Sequence, residues 1–182
     1  MFNPVDIIRQ FYREGTSLYD LSLRHGEDVA RKAVAIVRRL DHLQPDIDFT
    51  QEAAMLHDIA IFLTDEKKLG CTGRYPYICH GYLGRELLAD LHLPRHVMVC
   101  ERHVGIGITA QDVRRYGLPL PKRDMVPVSI EEKIICYADK FFSKKGFGNE
   151  TAKSIDEVLC SIASYGQEKV IIFQDWVQTF GL

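Results

Sequence analysis

The sequence predicts an all-α helical bundle forming a single domain over residues 1–182. Three observations carry that expectation. Apolar residues recur at helical spacing along nearly the whole chain, no alternating apolar-polar strand of useful length occurs, and caps and breakers fall at helix-length intervals. A chain of 182 residues with 46% hydrophobic content buries a sizeable core, which excludes disorder for the bulk of it. The net charge of -2 argues against a module that binds a nucleic-acid duplex, which usually carries a basic stripe. The longest apolar runs, such as Ile59 to Leu63, fall far short of a membrane span. No basic-then-apolar export signal opens the chain, and five cysteines without CxxC spacing read as reduced thiols. A cytoplasmic location is the expectation.

The elements follow in order. Asn3-Pro4 is a cap with proline at the first helical position and opens a helix ending near Gly15. A second helix is predicted from Ser17 to Leu40, on the spacing of Val29, Ala33, Ile36, Val37 and Leu40, although Gly26 weakens its interior. A third runs from about Thr50 to Phe62 and carries His57 and Asp58, and a polar loop with Gly70, Gly73 and Pro76 follows. Two further helices are expected from Tyr77 to Leu91 and from Pro94 to Val104, and a short one from Thr109 to Tyr116 stops at Gly117. Pro119, Pro121 and Pro127 make 118–128 a surface loop. Ser129, with Glu132 at the capping-box position, opens a helix to about Lys145. Helices near Ser154 to Tyr165 and Gln167 to Phe180 close the chain. The ligand-type residues thus occupy a core of about 17–145, and 154–180 forms the C-terminal helices.

Five of these segments share an anomaly. His25, His57-Asp58, His80, His103 and Asp139 stand where the helical pattern wants an apolar or small residue. Ala53 and Ala54 lie one turn before His57 and Asp58, and Ile135 one turn before Asp139. A carboxylate among such neighbours is costly to bury without a cation or several donors. Gly81 and Gly84 beside His80 let another element approach closely. A lone histidine on an apolar face is more often a satisfied core residue than a ligand, and a lone buried aspartate more often pairs with an arginine. Five segments repeating the intrusion point to one polar centre built from imidazole and carboxylate, the donors that divalent transition metals take from proteins.

The ordered set resembles the HD superfamily of metal-dependent phosphohydrolases. His25 matches the first histidine, His57-Asp58 the signature pair and Asp139 the distal aspartate, while His80 and His103 match two histidines of members that hold two metals. Leu56-His57-Asp58-Ile59 is similar to the family's LHDIG and Tyr137-Ala138-Asp139-Lys140 to its frequent YADK. Two positions depart from the pattern. Ala60 stands for the usual glycine, and Ile61 for a lysine found in many members, so no phosphate-contacting lysine is assigned on the third helix.

The resemblance implies an all-helical bundle. In it His25, His57, Asp58 and Asp139 would hold one metal, and Asp58 would bridge to a second completed by His80 and His103. The mixed nitrogen-oxygen set suits Fe, Mn, Co, Ni or Zn, one or two ions, without choosing among them. The implied reaction is hydrolysis of a phosphoester or phosphoanhydride in a nucleotide or other small phosphorylated metabolite. Asp58, Arg102 and Lys140 are the catalytic candidates, the last two by adjacency to His103 and Asp139. Arg114, Arg115, Lys122 and Arg123 offer further cations around the proline-rich loop, and Tyr75, Pro76 and Tyr77 an aromatic wall; each is more often a solvated charge or core packing. His42, His92 and His96 stay outside the site.

Two other functions compete. A few dinuclear relatives of this superfamily oxidise carbon substrates with iron and oxygen, and others keep the fold as a ligand sensor. The complete ligand set argues against the sensor. Phe173, Trp176 and Phe180 pack internally or form a homodimer face, and the internal packing is the expectation.

Overall fold

The computed structural model describes residues 2–144 and 152–181. Nine α-helices occur among them, with short 3-10 turns between and isolated bridges in place of strands. They are α1 (Pro4–Phe11), α2 (Ser17–Arg39), α3 (Ile47–Leu56), α4 (His80–Asp90), α5 (Pro94–Arg102), α6 (Ala110–Tyr116), α7 (Ile130–Asp139), α8 (Ile155–Ala163) and α9 (Gln167–Phe180). The all-α expectation holds.

Local chemistry sets the starts. The Asn3 side chain accepts from Val5 N–H with proline at the next position, and Thr16 and Ser154 cap α2 and α8 in the same way. Only half of the expected capping box opens α7: Ser129 accepts from Glu132 N–H, but the Glu132 carboxylate accepts from Val128 N–H instead of reaching back to Ser129. Gly26 does not interrupt α2. It is buried, and a Cβ there would lie 3.0 Å from Met55 O, so the missing side chain lets α2 and α3 touch.

Helix ends correct the expectation more than starts do. The third helix stops at Leu56, six residues before the expected end at Phe62. Residues 57–60 are tight turns in which Ile59 N–H bonds Leu56 O and Ile61 N–H bonds Asp58 O. The expected continuation of α5 to Val104 stops at Arg102, and that of α7 at Asp139; Lys145 lies outside the described residues. The segment predicted as one helix from Tyr77 is a 3-10 turn, Tyr77–Cys79, leading into α4.

The main core gathers α2, α3, α7, α8 and α9 around Tyr137, which is fully buried. Phe173 stacks on Tyr137 with ring centres 5.0 Å apart, and Phe180 meets it edge-on at 5.4 Å. Phe173, Trp176 and Phe180 are therefore packed internally. A second core lies under α1, where Tyr12 donates to Ile59 O at 2.8 Å and ties the N-terminal helix to the turn after α3. Among the described residues no helix is long and apolar enough to cross a membrane.

Candidate metal centre

The early helix ends are what build the site. His57 is the C-cap of α3, His103 the C-cap of α5, and Asp139 the last residue of α7. His25 reaches the same point from the middle of α2 and His80 from the first turn of α4. Adjacent residues on a regular helix point about 100° apart and share no face. Ending α3 at Leu56 is what lets His57 and Asp58 face one centre. Three helices also present carbonyl termini there, and their dipoles favour a cation.

Asp58 organises the geometry. Its Oδ2 lies 3.2 Å from His25 Nε2 and 3.1 Å from His57 Nε2. Its Oδ1 lies 3.3 Å from both His80 Nε2 and His103 Nε2. Asp139 Oδ1 closes the first group at 3.0 Å from His25 Nε2 and 3.4 Å from His57 Nε2. Two clusters of donor atoms result, His25-His57-Asp58-Asp139 and Asp58-His80-His103, sharing only Asp58. All six residues are buried.

The protonation pattern shows what the centre fits. His57 Nδ1 donates to Ala54 O at 2.6 Å, His80 Nδ1 to Tyr77 O at 2.6 Å, and His103 Nδ1 to Cys100 O at 2.8 Å. A carbonyl can only accept, so each ring carries its proton on Nδ1 and, when neutral, aims the Nε2 lone pair inward. His80 Nε2 and His103 Nε2 are 3.1 Å apart, a repulsive meeting of two lone pairs unless a cation or proton lies between them. His57 Nε2 and Asp58 Oδ1 are buried without a hydrogen-bond partner, while Asp58 Oδ2 meets the Lys144 ammonium. Nitrogen and oxygen donors that converge on two shared points in this way fit divalent metal ions.

Electrostatics agree. Burial opposes charge on His57, but Asp58 and Asp139 beside it lift the imidazole to about 9. Burial drives His80 down to about 3 and lowers His103. Asp58 and Asp139 stay well below the usual carboxylate range against the effect of burial, Asp58 through Lys144 and His57 and Asp139 through Lys140 and Lys144. The second cluster thus pairs one ionised carboxylate, Asp58, with two imidazoles that burial keeps from protonating.

Of the cationic candidates, Lys140 is at the centre: Nζ lies 2.5 Å from Asp139 Oδ2 and 3.4 Å from His103 O. Arg102 is not. Its guanidinium donates to both oxygens of Glu132, at 3.1 and 3.0 Å, and it does not line the cavity over the cluster. Adjacency to His103 misled because a long side chain goes to the nearest carboxylate, here on α7. Arg123 likewise bonds Glu101, with its Nε at 3.0 Å. Tyr77 lines the cavity while Tyr75 and Pro76 do not. Sequence reasoning missed Lys144, whose ammonium lies 2.6 Å from Asp58 Oδ2 and 3.7 Å from Asp139 Oδ1. The signal available was its position five residues after Asp139.

An all-helical protein with a buried, doubly clustered His/Asp centre is the class that fold and site define. The HD domain family pattern matches residues 23–143, and the chain belongs to that family. Its fold is similar to the crystal structure of the HD domain of the L. monocytogenes phosphodiesterase PgpH, with a TM-score of 0.51 at 14% identity over 96% of this chain and 95% of that one. Among curated proteins it is 35% identical over 125 residues to a tRNA (cytidine(56)-2'-O)-methyltransferase of Picrophilus torridus, covering 68% of this chain and 32% of that protein. It is 33% identical over 115 residues to an uncharacterized protein of Methanocaldococcus jannaschii, covering 63% of this chain and 57% of the relative. The chain therefore spans only between a third and somewhat over half of these relatives' lengths.

Proposed function

We propose that this chain is a metal-dependent phosphohydrolase that cleaves a phosphoester or phosphoanhydride in a nucleotide or other small phosphorylated metabolite. The observation that carries this reading is the division of Asp58, one oxygen facing His25 and His57 and the other facing His80 and His103. A carboxylate so placed would be a donor to both groups at once. His25, His57, Asp58 and Asp139 would hold one ion, and Asp58, His80 and His103 a second. When bound, such ions supply an activated water at neutral pH and polarise a phosphoryl oxygen.

The chain's own groups do the rest. The Nδ1 hydrogen bonds to Ala54, Tyr77 and Cys100 carbonyls hold three imidazoles in one tautomer and orientation. Lys140 neutralises the outer oxygen of Asp139 and presents an ammonium to the cavity, where it is placed to meet a phosphate oxygen. Lys144 adds a second cation on the same wall. The name of the structural neighbour, a phosphodiesterase, supports the reaction class. The names of the methyltransferase relatives support a substrate of nucleotide character; methyl transfer is not read onto this chain, which spans about a third of those proteins.

The test is the metal content of protein purified without chelator, by elemental analysis, for wild type, His80→Ala and His103→Ala, followed by a phosphate-release screen. About two ions per chain falling to about one in each variant, with phosphate release that a chelator abolishes, is the expected result. No bound metal after reconstitution would sink the reading.

A further inference from the structure

The cavity over the metal centre extends beyond the stretch that matches the family. One part of the lining is the centre itself, with His80, His103 and Asp139 and the ammonium groups of Lys140 and Lys144. A second part of the lining comes from α8 and the residues flanking it: Lys153, Val158, Ser161, Ile162 and Tyr165. None of these five lies within residues 23–143.

The two parts differ in chemistry. Val158 and Ile162 are nearly fully buried and give an apolar floor. Tyr165, at the C-terminal end of α8, stands 58% exposed at the cavity, an aromatic surface left open to solvent. Lys153 is anchored through its backbone N–H to Phe141 O at 2.9 Å, two residues from Asp139, which fixes the start of α8 against the centre. The cavity, about 460 Å³ and open to solvent on one side, lies in the range of small-molecule sites and takes one nucleotide-sized molecule. A ligand matching both parts has an anionic phosphate at one end and a flat, uncharged ring at the other.

We propose that α8 and Tyr165 form a leaving-group subsite that selects phosphate esters carrying a single flat ring, of mononucleotide size, with the phosphate at the lysine-lined centre and the ring against Tyr165 over Val158 and Ile162. This rests on the phosphohydrolase reading for its orientation. Stacking on an exposed aromatic is tolerant of the identity of the ring, so the subsite recognises the class rather than one base.

The test uses the full chain loaded with manganese. Binding of adenosine 5′-monophosphate and of glycerol 1-phosphate is measured by calorimetry, and phosphate release from both is followed, in wild type, Tyr165→Ala and Tyr165→Phe. The expected result is a preference for the nucleotide that falls about tenfold in Tyr165→Ala and is retained in Tyr165→Phe. Tyr165 is largely exposed, so its unfolding midpoint should stay within about 2 °C of wild type, which separates lost stacking from lost folding. Equal preference in wild type and Tyr165→Ala, or no preference in wild type, overturns the subsite even if phosphate is released. A preference that depends on Tyr165 with no phosphate release from either compound leaves the subsite standing and removes the hydrolase.

Discussion

Gly81→Ala isolates the contact that sets the distance between His80 and His103. A Cβ at Gly81 would lie 2.6 Å from Cys100 O and 2.6 Å from Val104 Cγ2, so it meets the backbone of α5 and not merely a mobile side chain. A carbon-oxygen contact relaxes at about 3.3 Å, so α4 and α5 must part locally by roughly 0.7 Å. Cys100 O is also the acceptor that orients His103 through its Nδ1, and His80 is the residue before Gly81. The 3.1 Å between the two Nε2 atoms then opens by an amount that exceeds the tolerance of about 0.2 Å in metal-ligand distances. Overpacking of this kind costs about 2 kcal/mol. For a chain of this size that is a fall in melting temperature of about 4–8 °C, measured on metal-free protein by thermal unfolding. In a competitive metal titration the site at His80 and His103 should lose about 10–100-fold in affinity while the other is retained. Gly84→Ala serves as the control, because its Cβ would lie 3.2 Å from the Cys100 side chain and should cost less than half as much. A Gly81→Ala protein with unchanged melting temperature and unchanged affinity at both sites would refute the argument that helix spacing holds the centre.

The remaining predictions concern stability. Lys169 is buried and donates to Gly107 O at 2.8 Å and to Asp112 Oδ2 at 3.1 Å, tying α9 to the turn after α5. Lys169→Met removes both bonds, leaving Asp112 Oδ2 with only the Thr109 N–H, and should lower unfolding stability in urea by about 3 kcal/mol; an unchanged midpoint would show the pair to be inert. His96 is packed between Phe2 and Phe49, and burial lowers its pKa to about 4 from the usual 6.5. Above pH 6.5 the ring is neutral in both folded and unfolded chains, and no stability difference arises. Between pH 6.5 and 4 the unfolded chain takes up a proton that the fold refuses, so stability falls through that window, by about 2 kcal/mol after allowing for partial solvation. In His96→Phe that part of the acid sensitivity should disappear, and identical pH profiles for the two proteins would contradict it.

The residues of the centre were legible in the sequence because each interrupts an apolar helical stretch. Their order, His25, His57-Asp58, His80, His103 and Asp139, resembles one family, and residues 23–143 match that family. The glycines beside His80 also declared their purpose, since a missing side chain on an inward face means a close neighbour. The cap residues Asn3 and Ser129 placed two helix starts correctly, because capping is decided by bonds within a few residues.

Tertiary structure alone decided where the helices end and where the long cationic side chains go. The pattern of 50–62 favours a helix through His57 and Asp58, yet α3 stops at Leu56, and only that break turns both side chains to one point. Hydrophobic periodicity reports which face is buried; it is silent on a turn whose stability comes from groups on α2, α4, α5 and α7 meeting it. Arg102 and Lys144 show the same limit from the side-chain end. Arg102 stands beside a centre residue in sequence and pairs with Glu132 instead, while Lys144, five positions from Asp139, reaches Asp58. A flexible side chain is placed by the nearest carboxylate in space, and chain distance does not encode that neighbour.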